Sequence, residues 1–349
     1  MLVRSEDLIY GDVQKMDVSS SNGTYQHTTQ SEFAEFGKGF LFSGMTLATI
    51  IGNSLSLLAL FVTKKWHTRY LIVSLAITDL LLGTLVMPFT TISAVKHRWV
   101  FSHVWCDVQG SLGFLLCQVS VVTIMCVSLE RYVLFIKPSL HFKRVKSNPK
   151  TMQWLVIATW LYGGVWAFLA WQIPHYSYHK ELLNCAVRWR HNYHFTVICG
   201  IITSCIPIAV ILFCNFRVTL KVTKILKRMN ITRERSESDT MKRNIAEIKI
   251  SRMLLIVTVS FVVCWTPYTI GGLCYLQPNC NWPEEYFIAS VFFCLFNSTM
   301  NPILYGTFDR RFRKALSYIF WKLLRIIGAT KTLSQMTALN MSPAQPPPE

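Results

Sequence analysis

Asp79 interrupts the apolar run SLAITDLLLG, where a charge costs about 2.5–3.5 kcal/mol even on the lenient scale of membrane insertion. Polar residues at comparable positions of other apolar runs offer it company: Asn53, Ser120, Asn297, Ser298 and Asn301. A carboxylate ringed by amide and hydroxyl oxygens suits a hard cation, so the pattern predicts a sodium ion; the competing reading is a hydrogen-bond hub between helices. A second charged pair, Glu130 and Arg131, closes the run CVSLERYVLF. Arg131 has Glu130 beside it and Glu247 at the base of a later run as candidate partners, the second tying two helices together. Its plainer reading is a helix-end charge that reaches water at little cost. Seven of the nine histidines, His27, His97, His103, His175, His179, His191 and His194, fall between or before the runs on one side. They titrate near physiological pH and can bind zinc, although ordinary polar loop residues are the commoner explanation. Within the runs no nucleophile stands near a base and no metal-ligand cluster appears, so covalent catalysis has no sequence support.

The elements that must position these residues are helices. The chain is 52% hydrophobic and 15% charged, a balance of the membrane class. Seven segments are long enough to cross about 30 Å of hydrocarbon, near 38–63, 70–95, 104–136, 151–173, 195–227, 242–275 and 285–306. The expectation is an all-α membrane protein, a seven-transmembrane helix bundle over 38–306. Residues 1–37 form an N-terminal tail without a signal peptide, residues 307–325 a short amphipathic cytoplasmic helix, and 326–349 a disordered cytoplasmic tail. Transporters show intramembrane charge pathways and inverted repeats, and neither is visible.

Net charge is +17, and its placement decides its meaning. Most of the Lys and Arg lie in TKKWHTR, KPSLHFKRVKSNPK, the 216–252 connection and the segment after Tyr305. All are on one side of a seven-span chain, so they read as cytoplasmic loops meeting anionic lipid, not as a nucleic-acid surface. The N-terminus is then extracellular and the C-terminus cytoplasmic. Among the sequons only Asn22 is placed for glycosylation. Cys106 opens the third span and Cys185 lies between the fourth and fifth, so both meet an oxidising compartment and are expected to bridge; Cys274 and Cys280 are a second candidate pair. Pro88, Pro207, Pro267 and Pro302 each remove a backbone hydrogen bond and kink a span.

In order along the chain stand GN at Gly52 and Asn53, LAITD ending at Asp79, Trp99 and Cys106, ERY at Glu130 to Tyr132, Trp160, Pro207, FVVCWTP at Phe261 to Pro267, and NPILY at Asn301 to Tyr305 before FDRRFRKAL. With a marker in every span over roughly 38–325, the sequence resembles the rhodopsin-like (class A) G-protein-coupled receptors. The resemblance implies a plasma-membrane receptor that transmits an extracellular ligand signal, or basal activity, to heterotrimeric G proteins as the sixth helix moves outward. It implies a sodium pocket of Asp79, Ser120, Asn297, Ser298 and Asn301. Trp265 resembles the family's rotamer toggle, and Pro207, Val121 and Phe261 its relay. Arg131 resembles the residue that meets the G-protein α-subunit, aided by Tyr305. In the second inner loop Ser139 replaces a bulky apolar residue, leaving Leu140 or Phe142 to insert into the G protein. Asn215 stands where the family usually has a tyrosine. Ser236, Ser238 and Thr240 offer phosphorylation sites that would recruit arrestin.

The same resemblance implies a ligand pocket. Gly113, Phe114, Cys117 and Gln118 would line it from the third span, Cys199 and Thr203 from the fifth, Tyr268 and Thr269 from the sixth, and Val291 and Leu295 from the seventh. Gly113 replaces the Asp that binds amines in aminergic members, and Leu295 the Lys that binds retinal in visual pigments. The expected ligand is therefore neutral and fairly apolar. The alternatives are a proton- or zinc-modulated receptor and a non-signalling dimerisation partner of other receptors.

Overall fold

The computed structural model describes residues 21–62, 69–142, 150–232, 239–277 and 279–326. Among them are seven helices long and apolar enough to cross a membrane: Gly37–Val62, Tyr70–Lys96, His103–Ile136, Lys150–Gln172, Tyr193–Lys227, Ser251–Tyr275 and Glu284–Phe308. They stand as one bundle with the third span at its centre, packed on the second, fourth and fifth. Large side chains such as Trp154, Leu161 and Val165 of the fourth span are exposed, as expected of a helix whose outer face meets lipid tails.

Proline sets the breaks. The second span divides at Val86 into helices Arg69–Leu85 and Met87–Lys96, because Pro88 has no N–H to donate and cannot follow a helical predecessor comfortably. In the fifth span a π-helical turn, Ile201–Cys205, ends just before Pro207. Pro267 and Pro302 lie inside continuous helices, where the Tyr286 hydroxyl donates to the Pro267 carbonyl at 2.8 Å. Close helix approach needs a missing side chain at Gly163, where a Cβ would come within 2.7 Å of Val119 on the third span. Polar clasps add to the apolar packing: Trp160 Nε1 donates to Ser74 Oγ at 3.0 Å, and Asn215 Nδ2 to Ser128 Oγ at 3.1 Å.

Two features were not expected from the sequence. Between the fourth and fifth spans lies an antiparallel hairpin of β1 (Tyr176–His179) and β2 (Asn184–Val187), with Tyr178 opposite Cys185. Four residues are the shortest run in which alternation can be read, and NCAV shows none. The Cys106–Cys185 bond fastens β2 to the third span, and Cys274–Cys280 closes the loop after the sixth. The other feature is a one-turn helix, Pro138–His141, directly after the third span.

After Phe308 the chain turns into a terminal helix, Arg310–Ile326. Asp309 starts it, its Oδ1 accepting from the Arg311 N–H at 2.8 Å. Phe312 and Ala315 face the bundle while Arg310, Arg311, Arg313 and Lys314 are exposed, the layout of a helix lying along a membrane surface.

Candidate functional site

A cavity of about 310 Å³ lies among the third, fifth, sixth and seventh spans beneath the hairpin. All ten side chains expected to form a ligand pocket line it: Gly113, Phe114, Cys117, Gln118, Cys199, Thr203, Tyr268, Thr269, Val291 and Leu295. Glu181, Asn184 and Val187 of the hairpin segment roof it, and Trp189 joins Phe114 in an edge-to-face pair at 5.8 Å. Its lining holds one carboxylate, Glu181, and no basic group. Cys294 of the seventh span and Cys117 of the third both line it.

The roof is pinned to the spans beside it. Arg190 Nε donates to the Tyr275 carbonyl at 2.6 Å and its guanidinium lies 4.2 Å from the Tyr275 ring centroid. His179 Nδ1 is 3.3 Å from the Tyr275 hydroxyl, and Lys180 Nζ is 3.9 Å from Glu284. Burial pushes the His179 pKa below its ordinary 6.5, because a charged imidazolium loses its hydration there.

Under the cavity, Trp265 packs on Phe261 with ring centroids 5.6 Å apart. Phe261 and Val121 share a cluster with Leu75, Ile124 and Ile211. Pro207 is buried in the fifth span, two residues past the π turn. Deeper in the bundle Asp79 is 1% exposed. Its Oδ2 accepts from Asn301 Nδ2 at 2.7 Å, and Asn53 Nδ2 donates to the Ser298 carbonyl at 3.0 Å. Asp79 Oδ1 and Asn53 Oδ1 are buried without a partner among the described residues. Ser120, Asn297 and Ser298 are buried as well. An orphaned carboxylate oxygen amid amide and hydroxyl groups is a donor set that fits a hard monovalent cation.

At the far end of the third span Glu130 is shared. Its Oε2 lies 2.8 Å from Arg131 Nε and its Oε1 3.0 Å from His141 Nε2, with all three side chains buried. Tyr132 packs against Phe213 at 5.8 Å, and Tyr305 is buried against Phe312 of the terminal helix. Leu140 and Phe142 on either side of His141 are exposed. The side chains of Glu247, Ser236, Ser238, Thr240 and Asn22 lie outside the described residues, and with them the expected Arg131–Glu247 link. His141 was missed by sequence reasoning. Its signal was Pro138 in KPSLHF: proline favours the first position of a helix, and one turn of helix carries His141 back to Glu130.

Residues 52–305 match the model of the family described as 7 transmembrane receptor (rhodopsin family). The octopamine receptor beta-1R of Drosophila melanogaster is 27% identical over 353 residues, covering 90% of this chain and 67% of that one. The histamine H2 receptor of Canis lupus familiaris is 29% identical over 285 residues, 79% of this chain and 77% of its own. Melatonin receptor type 1C of Xenopus laevis is 25% identical, covering 79% of this chain and 65% of its own length. The crystal structure of squid rhodopsin superposes with a TM-score of 0.73 at 22% identity, over 84% of this chain and 87% of that one. At that identity the last likeness is one of fold.

Proposed function

The chain belongs to the rhodopsin family of seven-transmembrane receptors, a family of receptors and not of enzymes that signals to G proteins, and from that premise we propose that it binds an uncharged, fairly apolar ligand in the cavity under the hairpin. The observation that carries this reading is the lining. The spans contribute no carboxylate and no basic group to it, and Gly113 leaves the third span's ligand-facing position bare. An ammonium or carboxylate held there would lack a counter-charge in an apolar surround, an arrangement that is strongly disfavoured. Octopamine and histamine, for which two relatives are named, carry an ammonium. The melatonin relative fits the uncharged reading better. A second reading has one observation in its favour: Glu181 reaches the cavity from the hairpin and would be the anchor for a cation.

In the proposed orientation the hairpin and both disulfides are extracellular. The Arg131 end faces the cytosol of a plasma-membrane receptor, supported by the exposed basic face of the terminal helix. Ligand or basal fluctuation shifts the population toward an arrangement in which the sixth span moves outward and Arg131 meets the G protein. Asp79, Ser120, Asn297, Ser298 and Asn301 hold a sodium ion that favours the resting arrangement.

Basal nucleotide exchange on purified G proteins of each class, with the receptor in lipid nanodiscs, tests the reading without a known ligand. Exchange on at least one class, lost in Arg131→Ala, supports coupling; exchange indifferent to Arg131→Ala sinks it. Asp79→Asn should abolish the sodium dependence of that basal exchange. Undiminished sodium dependence removes the ion from the account. For the ligand, activation by ammonium compounds that fails in Glu181→Gln would replace the uncharged reading with the second one.

A further inference from the structure

The cavity reaches the outside of the bundle on one flank. Val259, Val263, Thr266, Ile270 and Leu273 of the sixth span are exposed at helical spacing, the stripe that a span turns toward lipid tails. Ile198, Ile202, Cys205, Ala209, Leu212 and Phe216 form the matching stripe of the fifth. Cys205 and Leu273 nevertheless also line the cavity. Between these two spans, therefore, the inner space and the lipid-facing surface meet. The fifth span leaves room there: Phe195 and Cys199 pack on Ala170 of the fourth span and on Tyr176 and Val187 of the hairpin, and Tyr193–Cys205 scarcely touches the sixth. Small lining residues continue both rims, Gly200 and Ser204 on the fifth span and Thr269 and Gly272 on the sixth. A Cβ built at Gly200 or at Gly272 would meet no neighbouring atom within 4 Å.

The roof is fastened instead. The Cys106–Cys185 bond ties the hairpin to the third span and Arg190 holds the Tyr275 carbonyl, so a ligand arriving from water has to displace a pinned element. A hydrocarbon chain arriving from the bilayer does not. It loses nothing by moving from lipid into an equally apolar space, and it supplies dispersion contacts to lining atoms that have no neighbours on the cavity side. Neither rim carries a charged group, so a charged head drawn into the gap would stand without a partner. We infer that the cavity opens sideways between the fifth and sixth spans and takes an uncharged single-chain lipid from the half of the bilayer that is outermost in the proposed orientation, its chain lying through the gap. A phospholipid brings a second chain and a charged head, and a gap between two adjoining helices is matched to neither. The inference rests on the cavity being the ligand site.

A monoacylglycerol with a diazirine near the end of its chain tests this in phosphatidylcholine nanodiscs holding the purified full chain. Illumination converts the diazirine to a carbene with loss of nitrogen, the carbene inserts into the side chain beside it, and mass spectrometry locates the adduct. Adducts should form on Cys117 of the central third span and on Tyr268, besides those on outer-stripe residues such as Phe216 and Val263. The same diazirine on a phosphatidylcholine chain should label the outer stripes alone. Gly200→Trp and Gly272→Trp, on separate spans so that one serves if the other misfolds, should each remove the Cys117 and Tyr268 adducts and keep the outer ones. Val259→Trp, on the lipid stripe away from the gap, should change nothing. Gly113→Trp should remove the same two adducts by filling the cavity from within, since a Cβ there meets only Val86, at 3.5 Å.

If the monoacylglycerol labels only the outer stripes, the lipid inference is overturned while the cavity stands as the site of a ligand arriving from water. Cys117 and Tyr268 adducts that survive both gap variants but not Gly113→Trp overturn the side opening and leave the cavity as the ligand site. Equal labelling of Cys117 by the phosphatidylcholine probe overturns the choice of a single-chain lipid. Adducts on both residues that survive Gly113→Trp overturn the cavity as the ligand site and the inference with it.

Discussion

The two ends of the bundle are held by different kinds of force. At the hairpin end the chain is fastened covalently, by Cys106–Cys185 from the third span to β2 and by Cys274–Cys280 after the sixth. Arg190, His179 and Lys180 then add contacts to Tyr275 and Glu284. At the Arg131 end the described residues hold no disulfide, and a buried carboxylate is divided between Arg131 and His141. A disulfide constrains every state the chain visits. A buried ion cluster constrains only the state in which its partners meet, and contributes little net stability because desolvation offsets its attraction. The hairpin end thus keeps a pocket in shape while the Arg131 end can exchange one set of partners for another.

Breaking the covalent end should have the largest effect. The Cys106–Cys185 bond closes a separation of 79 residues, for which chain entropy gives about 4–5 kcal/mol. The double variant Cys106→Ser/Cys185→Ser should lose most folded receptor and all high-affinity ligand binding. Cys274–Cys280 spans only 6 residues, worth about 2–2.5 kcal/mol, so its removal should lower the melting temperature while coupling persists. Equal losses from the two would show that loop length does not govern this end.

The opposite end should respond in activity more than in stability. Glu130→Gln takes the charge from between Arg131 and His141 and disfavours the arrangement that holds them by about 3 kcal/mol. Basal nucleotide exchange should rise several-fold or more, with melting changed far less than in the Cys106 variant. Unchanged basal exchange in a well-folded Glu130→Gln receptor would show that the cluster is structural. His141→Phe removes one hydrogen bond, about 1–2 kcal/mol, and should raise basal exchange less. His141→Gln, which can still donate, should restore it. If Gln fails where Phe fails, His141 acts by its shape and not by bonding Glu130.

The contrast between the ends also marks what the sequence could say. Spans were legible because a twenty-residue apolar run has few alternatives in water, and Asp79, Glu130 and Arg131 stood out because charge is rare in such runs. Cys106 with Cys185 was legible from position alone. The hairpin was not, because YSYH alternates for only two periods and NCAV not at all, and the bond that fastens β2 to the third span lies far off in sequence. His141 was hidden for a related reason: its meaning depends on a turn that folds it back onto a residue eleven positions earlier. That Asp79 Oδ1 and Asn53 Oδ1 have no partner among the described residues was invisible in principle. An asparagine in an apolar run announces a buried amide, but only coordinates tell which of its atoms the fold has left over.

The smallest expected effect probes whether the hairpin's non-covalent pins matter beside its disulfide. His179 faces Tyr275 of the sixth span and Ser177 of its own strand, with Glu181 favouring its charge and Arg188 opposing it. Burial outweighs the rest and lowers its pKa below 6.5. Between 6.5 and that lowered value the unfolded chain binds the proton and the folded one does not, so stability falls as pH falls through this window. The roof should therefore loosen in mild acid while the disulfide still ties β2 down. Hydrogen exchange over Tyr176–Val187, corrected for intrinsic rates, should quicken between neutral pH and about pH 5.5 relative to the third span. In His179→Gln, which does not titrate, the pH dependence should vanish. If wild-type protection is flat across that range, or falls equally in His179→Gln, the disulfide alone holds the roof and the proton-modulated alternative loses its site.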